Sequence, residues 1–152
     1  MEKTANTQQT AIKAKQIVIG LDNSFVDVTT QQRKKIVAGF ALENKIIYGR
    51  AFDIIKIKSG TIVNLYEIES IQKNVDNIII YEIKSTSKEG INERFEKYFF
   101  ALTTAELLVA QNLGNNFKFL FLNTLTHEHL ELSLKEIFAK AKGIYPTWSI
   151  QF

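Results

Sequence analysis

Apolar and polar residues alternate along the chain in patterns that predict helices on either side of a strand-rich centre. The segment "TTQQRKKIVAGFALEN" (29–44) carries an apolar stripe at helical spacing, formed by Ile36, Val37, Phe40 and Ala41. Thr29 and Gln32 match the capping box that opens a helix. Before this helix, "QIVIGL" is compatible with a short strand and "DNSFVDV" with a turn.

The centre of the chain contains three strand-like runs rich in β-branched and aromatic residues. "KIIYGRAFDIIKI" is the first, as one bent strand or two short ones. "TIVNLYEIES" follows the turn signal Lys58-Ser59-Gly60, so the pattern predicts a hairpin. "NIIIYEIKS" follows the polar break "QKNVDN" and is the third run.

The C-terminal half reads as an exposed loop followed by alternating helices and strands. Thr86 to Lys97 is polar and charged, which is typical of a loop. Thr103 and Glu106 form a second capping box before "AELLVAQNLG", and Gly114 is placed to stop that helix. "FKFLFLN" predicts a buried strand. "THEHLELSLKEIFAKAKG" predicts an amphipathic helix, and "YPTWSIQF" a last strand. The apolar side of that helix comprises Leu130, Leu134, Ile137, Phe138 and Ala141.

This order of elements predicts an α/β fold with a mixed central sheet flanked by helices. With 152 residues, 45% of them hydrophobic, the chain can build one real core. We therefore expect a single domain over residues 1–152, with residues 1–28 as a loosely packed N-terminal extension.

The composition of the chain excludes several classes of functional site. The chain has no cysteine, which excludes disulfides, thiolate zinc sites and thiol nucleophiles and fits a cytoplasmic protein. The sequence shows no secretion signal, no membrane-spanning apolar stretch and no glycine-rich phosphate loop, so neither a membrane association nor a nucleotide cofactor is expected. The net charge of +3 is compatible with a polyanionic partner without requiring one.

The candidate functional residues lie at the end of the third strand-like run. Strand alternation places Glu82 and Lys84 on one face, about 7 Å apart along the strand, with Ile83 on the other. A carboxylate at this position could bind a hard divalent ion through oxygen. A lysine beside it could orient a water and offset charge that grows on a phosphorus atom.

The "EIK" tripeptide of residues 82–84 ends an apolar strand and is followed by a polar loop, "FALTTAELLVAQ" and "FKFLFLN". In this respect the chain resembles the PD-(D/E)xK nuclease superfamily, which has the restriction-endonuclease-like fold. The resemblance implies an αβββαβ core with an extra C-terminal helix and strand here. It also implies hydrolysis of DNA phosphodiesters with Mg²⁺, for which Mn²⁺ can substitute. Glu82 would then be a metal ligand and Lys84 the residue that activates water or stabilises charge.

The family also has an acidic residue on a neighbouring strand, and this chain lacks the Pro-Asp pair that usually marks it. Asp53 opens an apolar strand and is the preferred second metal ligand. In a simple meander, however, Asp53 would lie at the far end of the sheet from Glu82. It reaches the site only if its strand pairs directly with the third run. Glu67 and Glu43 are the reserve ligands.

The resemblance also suggests contacts and partners. Lys88, Arg94 and Lys97 would grip the phosphate backbone if they line the mouth of the site. Small nuclease domains often act as symmetric dimers because a duplex has two strands to cut, so a homodimer is expected on DNA. Two alternatives stay open: a catalytically inactive module on the same fold that binds nucleic acid or protein, and a subunit of a larger nuclease assembly that uses the C-terminal segment as its interface.

Overall fold

The computed structural model describes residues 2–48 and 51–152, with side chains from Thr7 onward. The fold is α/β, and a five-stranded mixed sheet forms its centre. The strands are β1 (Phe25–Val26), β2 (Ile54–Ile57), β3 (Ile78–Thr86), β4 (Phe117–Asn123) and β5 (His129–Leu132). The helices are α1 (Glu2–Leu21), α2 (Thr30–Leu42), α3 (Ile68–Lys73), α4 (Thr104–Leu113) and α5 (Leu134–Lys140).

The strands are arranged in the sheet in their chain order. β1 pairs with β2, β2 with β3, and β4 with β5, each time antiparallel. β3 and β4 are parallel, with Ile80 opposite Phe117 and Thr86 opposite Asn123. Helix α4 lies in the connection between them, as a parallel pair requires. This parallel pair is the longest in the sheet. Along it, the C-terminal end of β3 continues beyond the first residue of its antiparallel neighbour β2.

Two hydrophobic clusters cover the two faces of the sheet. On one face, Ala14 and Val18 of α1 pack with Phe25, Tyr81 and Leu120. On the other face, residues of α2, α3, α4 and α5 pack on the alternate positions of the strands, including Ile36, Ile71, Val109 and Ile137. Residues 1–28 were expected to be a loosely packed extension. Within this range α1 and β1 form, and their buried side chains Ala14, Val18 and Phe25 belong to the core.

Helix boundaries follow the local signals read from the sequence. Thr29 and Gln32 form the capping box of α2, and Thr103 and Glu106 form that of α4, both confirming the predictions. Gly114 caps the end of α4 with a φ of 54°, a left-handed conformation that glycine adopts readily. "FKFLFLN" is the predicted strand β4, and six of its seven residues are buried.

The prediction of a strand at "TIVNLYEIES" is wrong. This segment is an irregular loop that leads into α3, and no hairpin forms after Gly60. Leu65, Ile71 and Val75 are buried, whereas Ile62 is 94% exposed. Ile71 and Val75 are four residues apart, which is the spacing of a helix, whereas the β-branched residues had suggested a period of two. The αβββαβ order is therefore not observed.

Three further predictions of secondary structure are wrong. "QIVIGL" belongs to α1. The expected helix at "THEHLELSLKEIFAKAKG" is a strand, β5, followed by α5, because Leu130 and Leu132 alternate against β4 and Ser133 with Glu136 forms a new capping box. "YPTWSIQF" forms no strand and is exposed throughout. Gly49 and Arg50, within the first strand-like run, lie outside the described residues.

Within the described part of the chain, no helix has the length and apolar character needed to span a membrane.

Candidate active site

Glu82 and Lys84 lie on the same face of β3, as strand alternation predicted. Lys84 Nζ is 3.7 Å from Glu82 Oε1, and each side chain is only 14% exposed. This is the face on which Ile78 and Ile80 are buried against α2 and α4. The pair thus stands where the apolar core of this face gives way to polar side chains near the end of β3.

Asp53 is the residue immediately before β2, and it lies next to Glu82 of β3. β2 pairs directly with β3, and Ile54 faces Tyr81, so the residue before Ile54 comes beside Glu82. The backbone N–H of Asp53 donates to the Tyr81 carbonyl at 2.8 Å, and its Oδ2 accepts from the backbone N–H of Ile83 at 2.8 Å. Because "TIVNLYEIES" is not a strand, nothing separates the two segments, and the direct pairing that Asp53 requires is present.

Glu106 completes the cluster from the first turn of α4. Its Oε2 accepts from Lys84 Nζ at 2.7 Å and from the backbone N–H of Thr103 at 3.1 Å. Sequence reasoning had identified Glu106 only as a capping residue. The signal that could have revealed more is its position: a glutamate in the first turn of the helix that connects the two parallel strands β3 and β4.

The carboxyl groups repel one another in a poorly solvated place. Burial, followed by the charges of Asp53 and Glu106, raises the pKa of Glu82 to about 9, while Lys84 acts in the opposite direction. Glu82 also shares a hydrogen bond with Glu106, which favours the protonated acid further. Lys84 contacts the carboxyl groups of Glu82 and Glu106, and the charge of Asp53 acts on Glu82 as well, so the site favours additional positive charge.

The donor set fits magnesium. Asp53 and Glu82 offer carboxylate oxygen, the ligand that Mg²⁺ prefers, and Mg²⁺ is commonly bound through one or two carboxylates with waters and substrate phosphates as its other ligands. Within residues 2–48 and 51–152, no group of three or more metal-ligating side chains is arranged to hold an ion by itself. A site of this kind would need oxygen atoms from water or substrate.

Arg33 of α2 supports the segment before Asp53. Its Nη1 donates to the carbonyl of Phe52 at 2.8 Å, and its guanidinium carbon lies 3.9 Å from the centre of the Phe52 ring. Phe52 itself is buried. The arginine thereby joins the first helix of this face to the start of β2 and helps fix the backbone that carries Asp53.

The reserve ligands lie outside this cluster. Glu67 is an exposed residue at the N-cap of α3, and Glu43 caps the end of α2, where it accepts a hydrogen bond from Gln72 at 2.8 Å. The carboxylates that act on Glu82 are those of Asp53 and Glu106.

The predicted phosphate-contacting residues are Lys88, Arg94 and Lys97. All three are exposed on the loop between β3 and α4. Lys88 is two residues beyond the end of β3, and its backbone N–H donates to the Thr86 hydroxyl at 3.2 Å. Phe95 and Tyr98 of the same loop pack against Phe121 of β4, so the loop is fixed to the sheet on the side of Glu82.

Comparisons with protein families, curated proteins and solved structures identify no match to this chain.

Proposed function

We propose that this protein is a Mg²⁺-dependent endonuclease that hydrolyses phosphodiester bonds in DNA. One observation carries the proposal: Asp53, the residue before β2, lies beside Glu82 of the paired strand β3, and Lys84 lies on the same face as Glu82. Two carboxylates and an ammonium group in this relation are the functional elements of the PD-(D/E)xK nucleases, which the sequence resembles.

Each residue of the cluster has a role in this proposal. Asp53 and Glu82 would hold the ion. Bound there, Mg²⁺ would polarise the phosphoryl group and lower the pKa of a bound water. Lys84 would orient the attacking water and offset negative charge in the transition state. Glu106 would act through Lys84, because its carboxylate fixes the ammonium group at 2.7 Å.

The architecture around the cluster supports a restriction-endonuclease-like core. An antiparallel β2–β3 pair carries the acidic residues, and α4 connects β3 to its parallel neighbour β4. The loop and helix α3 in place of the middle strand are a departure from the αβββαβ pattern. In this proposal the departure is what allows β2 to reach β3 directly.

Phosphate binding would come from the exposed Lys88, Arg94 and Lys97 beyond the end of β3. Contacts of this type neutralise the DNA backbone and release counterions, so affinity should fall steeply as salt increases. They fix the position of the duplex without reading its sequence.

The proposal is tested with supercoiled plasmid and the purified 152-residue chain. With Mg²⁺ or Mn²⁺ we expect nicking and linearisation by the wild type. We expect a loss of at least about a hundredfold in Asp53→Asn, Glu82→Gln and Lys84→Met. Glu69→Gln is the control, since Glu69 is an exposed helix residue that pairs with Lys73 one turn further along α3. Cleavage that survives in the three site variants, or that is absent from the wild type, contradicts the proposal. Binding in Ca²⁺ without cleavage in Mg²⁺ would identify an inactive DNA-binding module.

A second candidate, a subunit of a larger assembly, is favoured by the C-terminal segment. Between Gly143 and Phe152 this segment exposes Tyr145, Trp148, Ile150 and Phe152 by at least 75% each. Exposed apolar residues in such number are typical of interaction surfaces. Light scattering should detect an oligomer, including the expected homodimer, that dissociates when the chain is ended after Lys142. A monomer before and after truncation would argue against a self-assembling interface.

A further inference from the structure

A polar groove lies on the other side of Asp53, between α1 and the end of β3. Its first part has a volume of about 390 Å³ and is lined by Thr7, Thr10, Ala11, Ala14, Asp53, Ile83 and Ser85. Its second part, of about 320 Å³, is lined by Gln9, Thr10, Lys13, Ser87 and Thr124. Thr10 lines both parts, so they are adjacent, and together they are called here the α1 groove.

We propose that the α1 groove binds the sugar-phosphate backbone of one DNA strand and leads it to Asp53. This inference rests on the proposed nuclease function, because Asp53 is the residue that joins the groove to the catalytic cluster. It assigns a task to α1 that the resemblance to a nuclease family does not include.

The chemistry of the groove fits a phosphodiester strand. Five of its eleven lining residues carry a hydroxyl group, and Gln9 adds an amide and Lys13 an ammonium group. Hydroxyl, amide and ammonium groups make the usual contacts to phosphate and sugar oxygens. Among the described side chains, Asp53 is the only acidic lining residue, and it lies at the end where a metal ion would neutralise it. Ile83 is the only large apolar residue of this described lining, which argues against an apolar ligand.

The geometry of the sheet edge connects the groove with Glu82. The last β2–β3 pair is Ile54 with Tyr81, whereas β3 continues to Thr86. The Asp53 carboxylate lies beside this free edge, where its Oδ2 binds the backbone N–H of Ile83. Ile83 and Ser85 face the groove, and Glu82 and Lys84 face the opposite side. A phosphate at the free edge can therefore reach Asp53 from the groove and Glu82 around the same edge.

The floor of the groove is well fixed. The backbone N–H of Thr124 donates to the carbonyl of Thr86 at 2.8 Å, and the Thr124 hydroxyl donates to the same atom at 3.2 Å. From Ile83 to Ser87 the floor is roughly 13 Å long at the usual strand rise. At about 3.4 Å of axial rise per nucleotide, this length corresponds to roughly four nucleotides of one strand.

Binding is measured with a fluorescein-labelled DNA duplex in Ca²⁺, by anisotropy over a series of salt concentrations. We expect Gln9→Glu combined with Lys13→Glu to weaken binding by about tenfold or more and to reduce the salt slope by about one. Lys135→Glu is the control, because Lys135 is an exposed lysine on α5, across the sheet from α1. We expect it to change binding by less than twofold.

The absence of cysteine allows a direct second measurement. Ser87→Cys and, as control, Lys135→Cys can each be labelled with an azidophenacyl photo-crosslinker at a single position. We expect light-dependent crosslinks to DNA from position 87 and few from position 135. Crosslinking does not depend on a loss of affinity, so it remains informative if the charge variants fold poorly.

The outcomes separate this inference from the proposed function. One outcome is that plasmid is cleaved, that the Gln9→Glu and Lys13→Glu double variant binds DNA as tightly as Lys135→Glu, and that position 87 gives no crosslinks. In that case the DNA strand does not follow the groove, and the nuclease proposal stands. If position 87 crosslinks to DNA but Mg²⁺ supports no cleavage, the groove is confirmed and the nuclease activity is overturned. A wild type that does not bind DNA at all overturns the groove inference.

Discussion

Lys84 Nζ lies 2.7 Å from Glu106 Oε2, so the ammonium group of β3 is held by the capping residue of α4. The same oxygen accepts the backbone N–H of Thr103, which belongs to the capping box that starts this helix. The folding signal and the candidate site therefore share one carboxylate. Helix capping and the positioning of Lys84 can be separated by mutation, because only the second role needs a negative charge.

Glu106→Gln should reduce cleavage by about tenfold or more while changing stability little. Glutamine at this position can still complete a capping box. It cannot provide the negative charge that holds Lys84. Thr103→Ala should do the opposite, with a loss of about 1 kcal/mol in the free energy of unfolding and near-normal cleavage. Urea unfolding and plasmid cleavage, measured on both variants, check the prediction. A Glu106→Gln protein with full activity would show that the lysine needs no such support.

Asp53 should prove to have a structural role besides its proposed metal ligation. Its Oδ2 accepts the Ile83 N–H, which has no β2 residue opposite it. Asp53→Asn keeps an oxygen acceptor and should fold with near-normal stability, whereas Asp53→Ala should lose about 1 to 3 kcal/mol. Both should lack Mg²⁺-dependent cleavage. Chemical denaturation distinguishes the two variants, and equal stability would mean that the hydrogen bond contributes little.

The metal-free protein should lose stability as the pH rises, because of Glu82. Its pKa is about 9 in the folded chain against an ordinary value of 4.5, so the folded state binds this proton more tightly than the unfolded state. The stability that this proton contributes is fully present below about pH 4.5 and is lost as the pH rises through 9.

Glu82→Gln removes the titration, so the Tm of the variant minus that of the wild type should grow from pH 5 to pH 9 in EDTA. Thermal melts at a series of pH values measure this difference. Adding Mg²⁺ at pH 8 should raise the Tm of the wild type and leave that of the variant nearly unchanged. A difference in Tm that is constant with pH would contradict the elevated pKa.

Gly39 should be required for the packing of α2 on α3. A Cβ placed there would lie 2.6 Å from Cγ2 of Ile71, a fully buried residue. Gly39→Ala should therefore destabilise the fold by about 1 to 3 kcal/mol despite the better helix propensity of alanine. Gly20→Ala in α1 is the control, since nothing lies within 4 Å of its Cβ position, and it should be neutral or stabilising. Urea denaturation of both variants tests the prediction.

Local signals in the sequence determined much of this protein. The sequence contains capping boxes at Thr29 and Thr103 and a glycine stop at Gly114. Each signal acts within a few residues, so the local sequence is enough to predict it. The alternation that puts Glu82 and Lys84 on one face is equally local. These features were predicted because no distant residue takes part in them.

Only the tertiary structure decided which distant residues meet. "TIVNLYEIES" has β-branched residues that favour a strand, yet packing of Ile71 on α2 makes part of it a helix, and this frees β2 to pair with β3. Asp53 reaches Glu82 through that pairing, and Glu106 reaches Lys84 through the crossover to β4. Sequence patterns give the period of each segment, whereas the neighbours of a segment depend on how the whole chain buries its apolar surface.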